Sequence, residues 1–167
     1  AMTWDGTMFS LYIDGNLAQS IPATNPPNQV NSNLWIGNSQ IAPDRVWDGK
    51  IDEVRIWDYA LCQSDIRARM NCELISNETG LLAYYQFNQG FGGGNNTGVT
   101  TLNDKTANNH NGTLTNFTLN GAGSNWSASG SVVSGVSCNV IPACLPDYAV
   151  TTTGGALVIT DLSGNGE

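Results

Sequence analysis

The feature that most constrains the fold is an alternating segment that runs directly into a two-residue turn signal. In residues 8–13, Phe9, Leu11 and Ile13 fall on one side of an extended chain, as in a strand with one buried face. Asp14–Gly15 follows at once and is a strong signal for a β-hairpin. A return strand from Asn16 to about Ile21 is therefore predicted, and with it an antiparallel sheet.

Further short segments of the same kind follow along the chain. They predict strands at 34–37, 49–57, 81–87 and 112–119, separated by loops rich in Pro, Gly and Asn. The single convincing helix is expected near 64–70, with Ser64 as its cap and Ile66 and Met70 on one side. Trp126 is expected to complete the core. Many short strands and one short helix predict an all-β fold, a β-sandwich or jelly roll.

The charge balance narrows the class of partner. Charged residues make up 12% of the 167, and 14 acidic residues against 6 basic ones give a net charge of -8. Nucleic acid and anionic lipid both need clustered Lys and Arg, so neither is an expected partner. The polar surface comes instead from uncharged residues such as the 20 Asn and 19 Gly. No apolar run reaches 18 residues, so membrane insertion is not expected, and the composition favours an extracellular protein.

Four cysteines support an oxidising compartment. Cys62 and Cys72 are ten positions apart and Cys138 and Cys144 are six apart, so the two local pairs close the shortest loops and are the predicted disulfides. The alternative is four reduced thiols in a cytosolic domain. A Cys/His zinc site is not expected, because His110 is the one histidine and no CxxC motif occurs.

The order and spacing of several motifs resemble one known family. The motifs are Ala1-Met2-Thr3-Trp4-Asp5-Gly6, Leu11-Tyr12-Ile13-Asp14-Gly15, Leu34-Trp35-Ile36-Gly37 and Gly49-Lys50-Ile51-Asp52-Glu53-Val54-Arg55-Ile56-Trp57. Together they resemble the later strands of a laminin-G-like jelly roll of the concanavalin A-like lectin/glucanase superfamily. The resemblance covers roughly residues 1–132, and a boundary near residue 78 stays open. Residues 133–146 are interpreted as a Cys/Pro linker and 147–167 as the start of a further β domain.

The resemblance implies a function class as well as a fold. It indicates a non-catalytic recognition or adhesion module of a large secreted bacterial cell-surface protein, with a glycan or protein surface as ligand and neighbouring domains of the same polypeptide as partners. The alternatives are a structural spacer and an accessory module of a secreted glycoside hydrolase. Strands that a complete module would have before Ala1 are missing from this sequence, so open sheet edges are expected.

Catalysis is not expected. A retaining glycosidase needs two carboxylates about 5–5.5 Å apart, whereas Asp52 and Glu53 are adjacent and point to opposite faces of a strand. Arg55 lies two positions after Glu53 and would lower the pKa of that carboxyl group, which disfavours it as a general acid. Asp48 and Asp52 flank a glycine turn and could approach each other, but no third residue supports them as a catalytic pair. His110 lies in a loop without a nucleophile motif.

Calcium is the cofactor that the sequence suggests. Residues 102–112 resemble the Asp-x-Ser-Gly-Asn turn of these jelly rolls, with Asp104 as the charged ligand and Asn108 and Asn111 as neutral oxygen ligands. The alternative is an Asx turn, in which Asp104 binds its own backbone.

Exposed aromatic rings would be the platforms for sugar binding. Trp47 and Trp35 are the candidate ligand-binding residues, with Tyr59 and Tyr84 as further aromatic candidates. Most of them are expected in the core. Trp47 is the one expected to be partly exposed, because it lies in a polar loop.

Overall fold

The first three strands form one antiparallel sheet. The computed structural model describes residues 1–25, 33–39, 42, 44–75, 78–128, 135–138, 148–153 and 156–161. In it β1 (Met2–Trp4), β2 (Met8–Ile13) and β3 (Asn16–Pro22) pair in the order β1-β2-β3. Asp14 and Gly15 both have positive φ, 50° and 71°, as a type I′ hairpin turn requires. The predicted hairpin is confirmed, but the side of β2 that carries Phe9, Leu11 and Ile13 is not the buried face expected, since Phe9 is 37% and Ile13 57% exposed.

A second sheet contains β4 (Val54–Trp57) and β5 (Leu81–Tyr85), which are also antiparallel. The strand predicted for 49–57 is shorter than expected and begins at Val54. Glu53 has φ of 54°, and this left-handed backbone interrupts the extended chain. The strand predicted for 34–37 is wrong, because the chain bends through residues 36–38 and Gly37 has φ of 85°.

The helix α1 (Gln63–Arg69) lies one residue earlier than predicted. Its N-cap is Cys62 and no side chain caps it, so the assignment of Ser64 as the cap is wrong. Ile66 is buried as expected, whereas Met70, predicted for the same side, follows the last helical residue and is 37% exposed. No helix in the described ranges is long and apolar enough to cross a membrane.

The remaining regular elements are short two-stranded ladders. Strands β6 (Thr101–Leu102) and β7 (Gly112–Thr113) pair with each other, and so do β8 (Tyr148–Thr153) and β9 (Ala156–Asp161). The strand predicted for 112–119 therefore ends after two residues. The backbone turns at Asn116, which has φ of 54°. The antiparallel sheets and, among the described residues, the one short α-helix confirm the expected all-β class.

Strand β5 is the centre of the core because four of its five residues are buried, Leu82 being the exception. Leu81 and Tyr84 belong to a cluster with Leu74 and Cys138. A second cluster on β5 contains Ala83, Tyr85, Leu102 and Trp126. Trp126 is buried as expected, and its ring lies 5.1 Å from that of Phe117.

The disulfide connectivity differs from the prediction. Cys72 is bonded to Cys138, 66 positions away, so the local pairs Cys62–Cys72 and Cys138–Cys144 are wrong. Backbone pairing explains the bond: the N–H of Glu73 donates to Val136 and the N–H of Cys138 donates to Glu73, which brings residues 136–138 alongside Cys72. None of the described cysteines is a free thiol. Cys144 and most of the predicted linker lie outside the described residues.

Candidate functional site

A cavity of about 760 Å³ lies between the first sheet and the second. Its walls are residues 1–4 of the β1 segment, the turn at 14–15, residues 52–61 around β4, and one side of α1. A strand that turns one face to a cavity lines it with every second residue. Here consecutive residues of both strands line it, which is the pattern expected when a strand presents its edge.

The backbone hydrogen bonds confirm that β1 presents an edge. Ala1 and Tyr12 exchange both backbone bonds, each 2.8 Å long. Hydrogen-bonded and non-hydrogen-bonded pairs alternate along an antiparallel ladder. Because Ala1 and Tyr12 form a hydrogen-bonded pair, the pairs that Met2 and Trp4 make with β2 are not hydrogen-bonded. Their N–H and C=O groups point away from β2, to the open side of β1.

The same alternation applies to β4. The N–H of Tyr84 donates to Asp104 Oδ1 at 3.0 Å, and the C=O of Tyr84 accepts from the N–H of Lys105 at 2.8 Å. Tyr84 therefore directs its backbone away from β4. Its partner Arg55 must direct its own N–H and C=O away from β5.

A buried polar cluster lies behind this edge. The Tyr84 hydroxyl donates to Glu53 Oε2 at 2.5 Å, and Arg55 Nη2 donates to the same oxygen at 2.6 Å. Arg55 also donates to the carbonyl oxygens of Arg69 and Cys72, both at 2.5 Å. The last carbonyls of a helix have no partner within it, so Arg55 satisfies the C-terminal end of α1 and joins it to β4.

Arg69 extends the cluster on the helix. Its guanidinium is 2.9 Å from Asp65 Oδ1 one turn earlier and 3.2 Å from Glu78 Oε2. Both Arg69 and Asp65 are almost completely buried. The sequence pattern does not show that Arg55 and Arg69 join α1 to its neighbours. The i, i+4 spacing of Asp65 and Arg69 was a detectable signal for one of their contacts.

Burial and hydrogen bonding shift the pKa of the Glu53 carboxyl in opposite directions. Desolvation raises the pKa of the Glu53 carboxyl, and the hydrogen bonds from Tyr84 and Arg55 lower it by less. Arg55 lowers this pKa in the direction expected from the sequence, but burial outweighs its effect and leaves the pKa raised. Burial together with the bond to Glu53 raises the pKa of Tyr84 to about 12. With two donors on one oxygen, the Glu53 carboxylate acts as a structural acceptor.

Glu53→Gln is expected to flatten the pH dependence of stability. Because the pKa of Glu53 is higher in the folded than in the unfolded chain, the folded state binds more protons above pH 4.5. Glu53 therefore makes the free energy of unfolding fall as pH rises from 4.5 through the raised pKa, and the uncharged amide of the variant removes that decrease. Urea unfolding at a series of pH values measures both slopes, and equal slopes would contradict the raised pKa.

The predicted calcium residues meet in one loop. Asp104 accepts hydrogen bonds from the backbone N–H groups of Tyr84, Thr106 and His110 and from the Thr106 hydroxyl, at 2.9–3.0 Å. Asn111 Oδ1 accepts from the N–H of Asp104, whereas the Asn108 amide donates to the Leu82 carbonyl. This is the geometry of the alternative interpretation, an Asx turn.

A calcium ion at Asp104 stays a prediction. The described residues contain no group of three or more His, Cys, Asp or Glu side chains arranged to hold a metal. Calcium also binds carbonyl and amide oxygens, and the loop carries several of these.

The two candidate tryptophans are both exposed. The Trp47 side chain is 63% exposed and that of Trp35 is 40% exposed. Trp47 donates its ring Nε1 to the Lys50 carbonyl at 3.2 Å and its backbone N–H to the Gly37 carbonyl at 2.9 Å. A Cβ on Gly49 would come 3.0 Å from the ring nitrogen, so a glycine there leaves room for the ring. Tyr84 is fully buried and is excluded as a platform.

The comparisons with known proteins address the first part of the chain. No curated protein and no solved structure matches this chain. A laminin G family model, described as the concanavalin A-like lectin/glucanases superfamily, matches residues 1–67. That segment holds the first sheet, β4, the exposed tryptophans and the start of α1. Domains of this kind suggest carbohydrate- or protein-binding modules and are generally non-catalytic. Residues 1–67 are therefore similar to a laminin-G-like domain of the concanavalin A-like lectin/glucanase superfamily.

Proposed function

We propose that this chain is a non-catalytic recognition module of a secreted bacterial cell-surface protein and that it binds carbohydrate through Trp47. The observation that carries the proposal is that Trp47 is 63% exposed while its ring Nε1 donates to the Lys50 carbonyl and its backbone N–H donates to the Gly37 carbonyl. Stacking on a sugar ring needs a flat aromatic surface that is open to solvent, and a ring fixed beforehand loses less conformational entropy on binding.

The surroundings of the ring support a sugar ligand. Trp35 is also exposed, and the bond from Trp47 to Gly37 brings the segment that carries Trp35 next to the loop that carries Trp47. Asn38, Asp44 and Asp48 lie in the same two segments and are exposed, so amide and carboxylate groups are available for sugar hydroxyls. The low content of Lys and Arg makes an anionic polysaccharide the less suitable ligand.

Trp47→Ala is expected to reduce polysaccharide binding at least about tenfold, because the stacking surface of the ring is lost. Pull-down with insoluble polysaccharides identifies a ligand, and calorimetry with its soluble oligosaccharide measures the affinity. Phe91→Ala is the matched control, since Phe91 is a 75% exposed aromatic residue of another loop and its loss should leave binding unchanged.

Two outcomes would contradict the proposal. Equal losses in Trp47→Ala and Phe91→Ala would show that binding does not depend on the Trp47 ring. Absence of binding to a panel of cell-wall and plant polysaccharides would favour the alternative of a structural spacer, which requires no ligand.

A further inference from the structure

Residues 135–138 lie against the core, and we call this segment the strap. Its last residue, Cys138, is 6% exposed and packs in the apolar cluster of Leu74, Leu81 and Tyr84. The other three residues of the strap are exposed. One buried side chain therefore anchors a segment that falls in the stretch interpreted from the sequence as a linker.

Glu73 holds the strap through hydrogen bonds. Its backbone N–H donates to the Val136 carbonyl at 2.8 Å, and its carbonyl accepts from the N–H of Cys138 at 2.7 Å. These two bonds form an isolated parallel bridge, which no strand of the described chain continues. The Glu73 carboxylate accepts from the N–H of Gly135 at 2.9 Å and from the Asn88 amide at 2.6 Å. Glu73 alone thus makes three hydrogen bonds to the strap.

These contacts are weak restraints for a segment of this length. Closing the strap fixes the backbone of four residues, and every ordered residue loses conformational entropy. The three hydrogen bonds replace bonds to water and each contributes little net free energy, while the only apolar burial is that of one small side chain. The Cys72–Cys138 bond changes the balance, because it confines Cys138 near Glu73 before the strap closes. Without this bond we expect the open strap to be favoured.

The two sulfur atoms of the bond differ in access. Cys138 is buried, whereas Cys72 is partly exposed. A thiolate attacks the disulfide sulfur that it can reach, so Cys72 Sγ is the expected point of attack. A dithiol reductant forms a mixed disulfide with Cys72 and displaces the Cys138 thiolate, which takes up a proton. The second thiolate of the reductant then displaces Cys72, which is protonated in turn, and the reductant leaves as its own disulfide.

We propose that the strap is a redox-sensitive device: the Cys72–Cys138 bond keeps it closed, and reduction of the bond opens it while the rest of the fold stays intact. The ladder of β4 and β5 contains no residue of the strap, so it persists when the strap opens. Opening uncovers the side of the apolar cluster that Cys138 covers. Completion of this part of the core therefore requires an oxidising compartment.

Cys72→Ser leaves the Cys138 thiol as a reporter of the strap in the full chain. Iodoacetamide alkylates an accessible thiol, and mass spectrometry of the chain measures the rate. We expect a rate within about tenfold of that of the urea-unfolded chain and independent of urea below the unfolding transition, because local opening exposes little surface. A rate that rises with urea in parallel with global unfolding would overturn the proposal, since Cys138 would then become accessible only when the whole fold opens.

Amide hydrogen exchange measured by NMR shows whether the opening is local. In Cys72→Ser, and in the unmodified chain after treatment with dithiothreitol, the amides of Glu73 and Cys138 should lose protection while those of β5 keep it. Loss of protection in β5 as well would show that the bond supports the whole fold. Retained protection at Cys138 would show that the contacts of Glu73 are sufficient. Either result would overturn the proposal.

Glu73→Ala is the matched variant. It removes the carboxylate bond to Gly135 but keeps the disulfide and both backbone bonds of the bridge. The Cys138 amide should therefore stay protected in this variant under oxidising conditions and lose protection after reduction. Loss of protection in oxidised Glu73→Ala would show that the carboxylate, and not the covalent bond, keeps the strap closed, and it would overturn the proposal.

Discussion

Asp104→Ala is expected to lower the free energy of unfolding by about 4 kcal/mol. The Asp104 side chain is completely buried and accepts three backbone N–H bonds and one hydroxyl bond. Alanine leaves these donors without an acceptor, and the buried N–H groups of Tyr84 and Thr106 cannot all turn to water. The bond to Tyr84 also joins the loop to β5, so the loss extends to the centre of the core. Urea unfolding measures the change.

Asp5→Ala is the matched control for this variant. Asp5 accepts bonds from the N–H groups of Thr7 and Met8 and from the Thr7 hydroxyl, which is nearly the same set, but it lies at the surface. Water can replace the carboxylate there, so the loss should be much smaller. Comparable losses in the two variants would show that burial of the Asp104 donors is not the cause.

The pH dependence of Asp104 has the opposite sign to that of Glu53. Burial is the largest influence on the Asp104 carboxyl and raises its pKa. The hydrogen bonds from the backbone of Thr106, Tyr84 and His110 together outweigh burial and lower the pKa. Asp104 therefore contributes stability above pH 3.8 that is lost as pH falls through the lowered folded pKa. Asp104→Ala should be less sensitive to acid in that range than the unmodified chain.

The same variant tests the calcium prediction. A calcium ion bound at Asp104 would raise the melting temperature of the unmodified chain, increasingly so as the calcium concentration exceeds the dissociation constant, and Asp104→Ala would remove the increase. Titration with calcium after treatment with chelator measures both chains. Identical melting curves with calcium and with chelator would assign Asp104 to the Asx turn alone.

Removal of the Cys72–Cys138 disulfide is expected to cost about 4 kcal/mol. In the chain-entropy account, a bond that closes a loop across 66 positions restricts the unfolded chain more than the short local loops would. The double variant Cys72→Ser and Cys138→Ser should therefore unfold at lower urea concentration. Excess reducing agent should remove most of the difference between the two chains, because both then lack the bond.

Peptide mapping without reduction checks the connectivity itself. A linked pair of peptides that contains Cys72 and Cys138 is the expected product. A cross-link between Cys62 and Cys72 would contradict this structure and restore the local pairing that the spacing favoured.

Local sequence patterns were sufficient to predict the hairpin and to place the helix to within one residue. Alternation in residues 8–13 and the Asp14–Gly15 turn determine β2, β3 and the pairing next to the turn, while a register shift between Leu11 and Tyr12 follows only from the folded sheet. The i, i+4 spacing placed Ile66 on the buried side of α1. The order of the motifs also identified the superfamily, which the match over residues 1–67 confirms.

Tertiary structure decided the features that depend on residues distant in sequence. The disulfide follows from pairing of Glu73 with residues 136–138, which no loop-length argument contains. The pKa of Glu53 follows from its burial beside Tyr84, whereas the sequence showed only the nearby Arg55. Spacing along the chain indicates local geometry and neighbouring charges. Desolvation, and pairing between segments distant in sequence, arise only once the sheets are packed. For that reason the sequence by itself determined the hairpin, its turn and the resemblance to the superfamily, and only the folded chain determined the limits of the other strands, the covalent cross-link, the buried charge cluster and the cavity between the first sheet and the second.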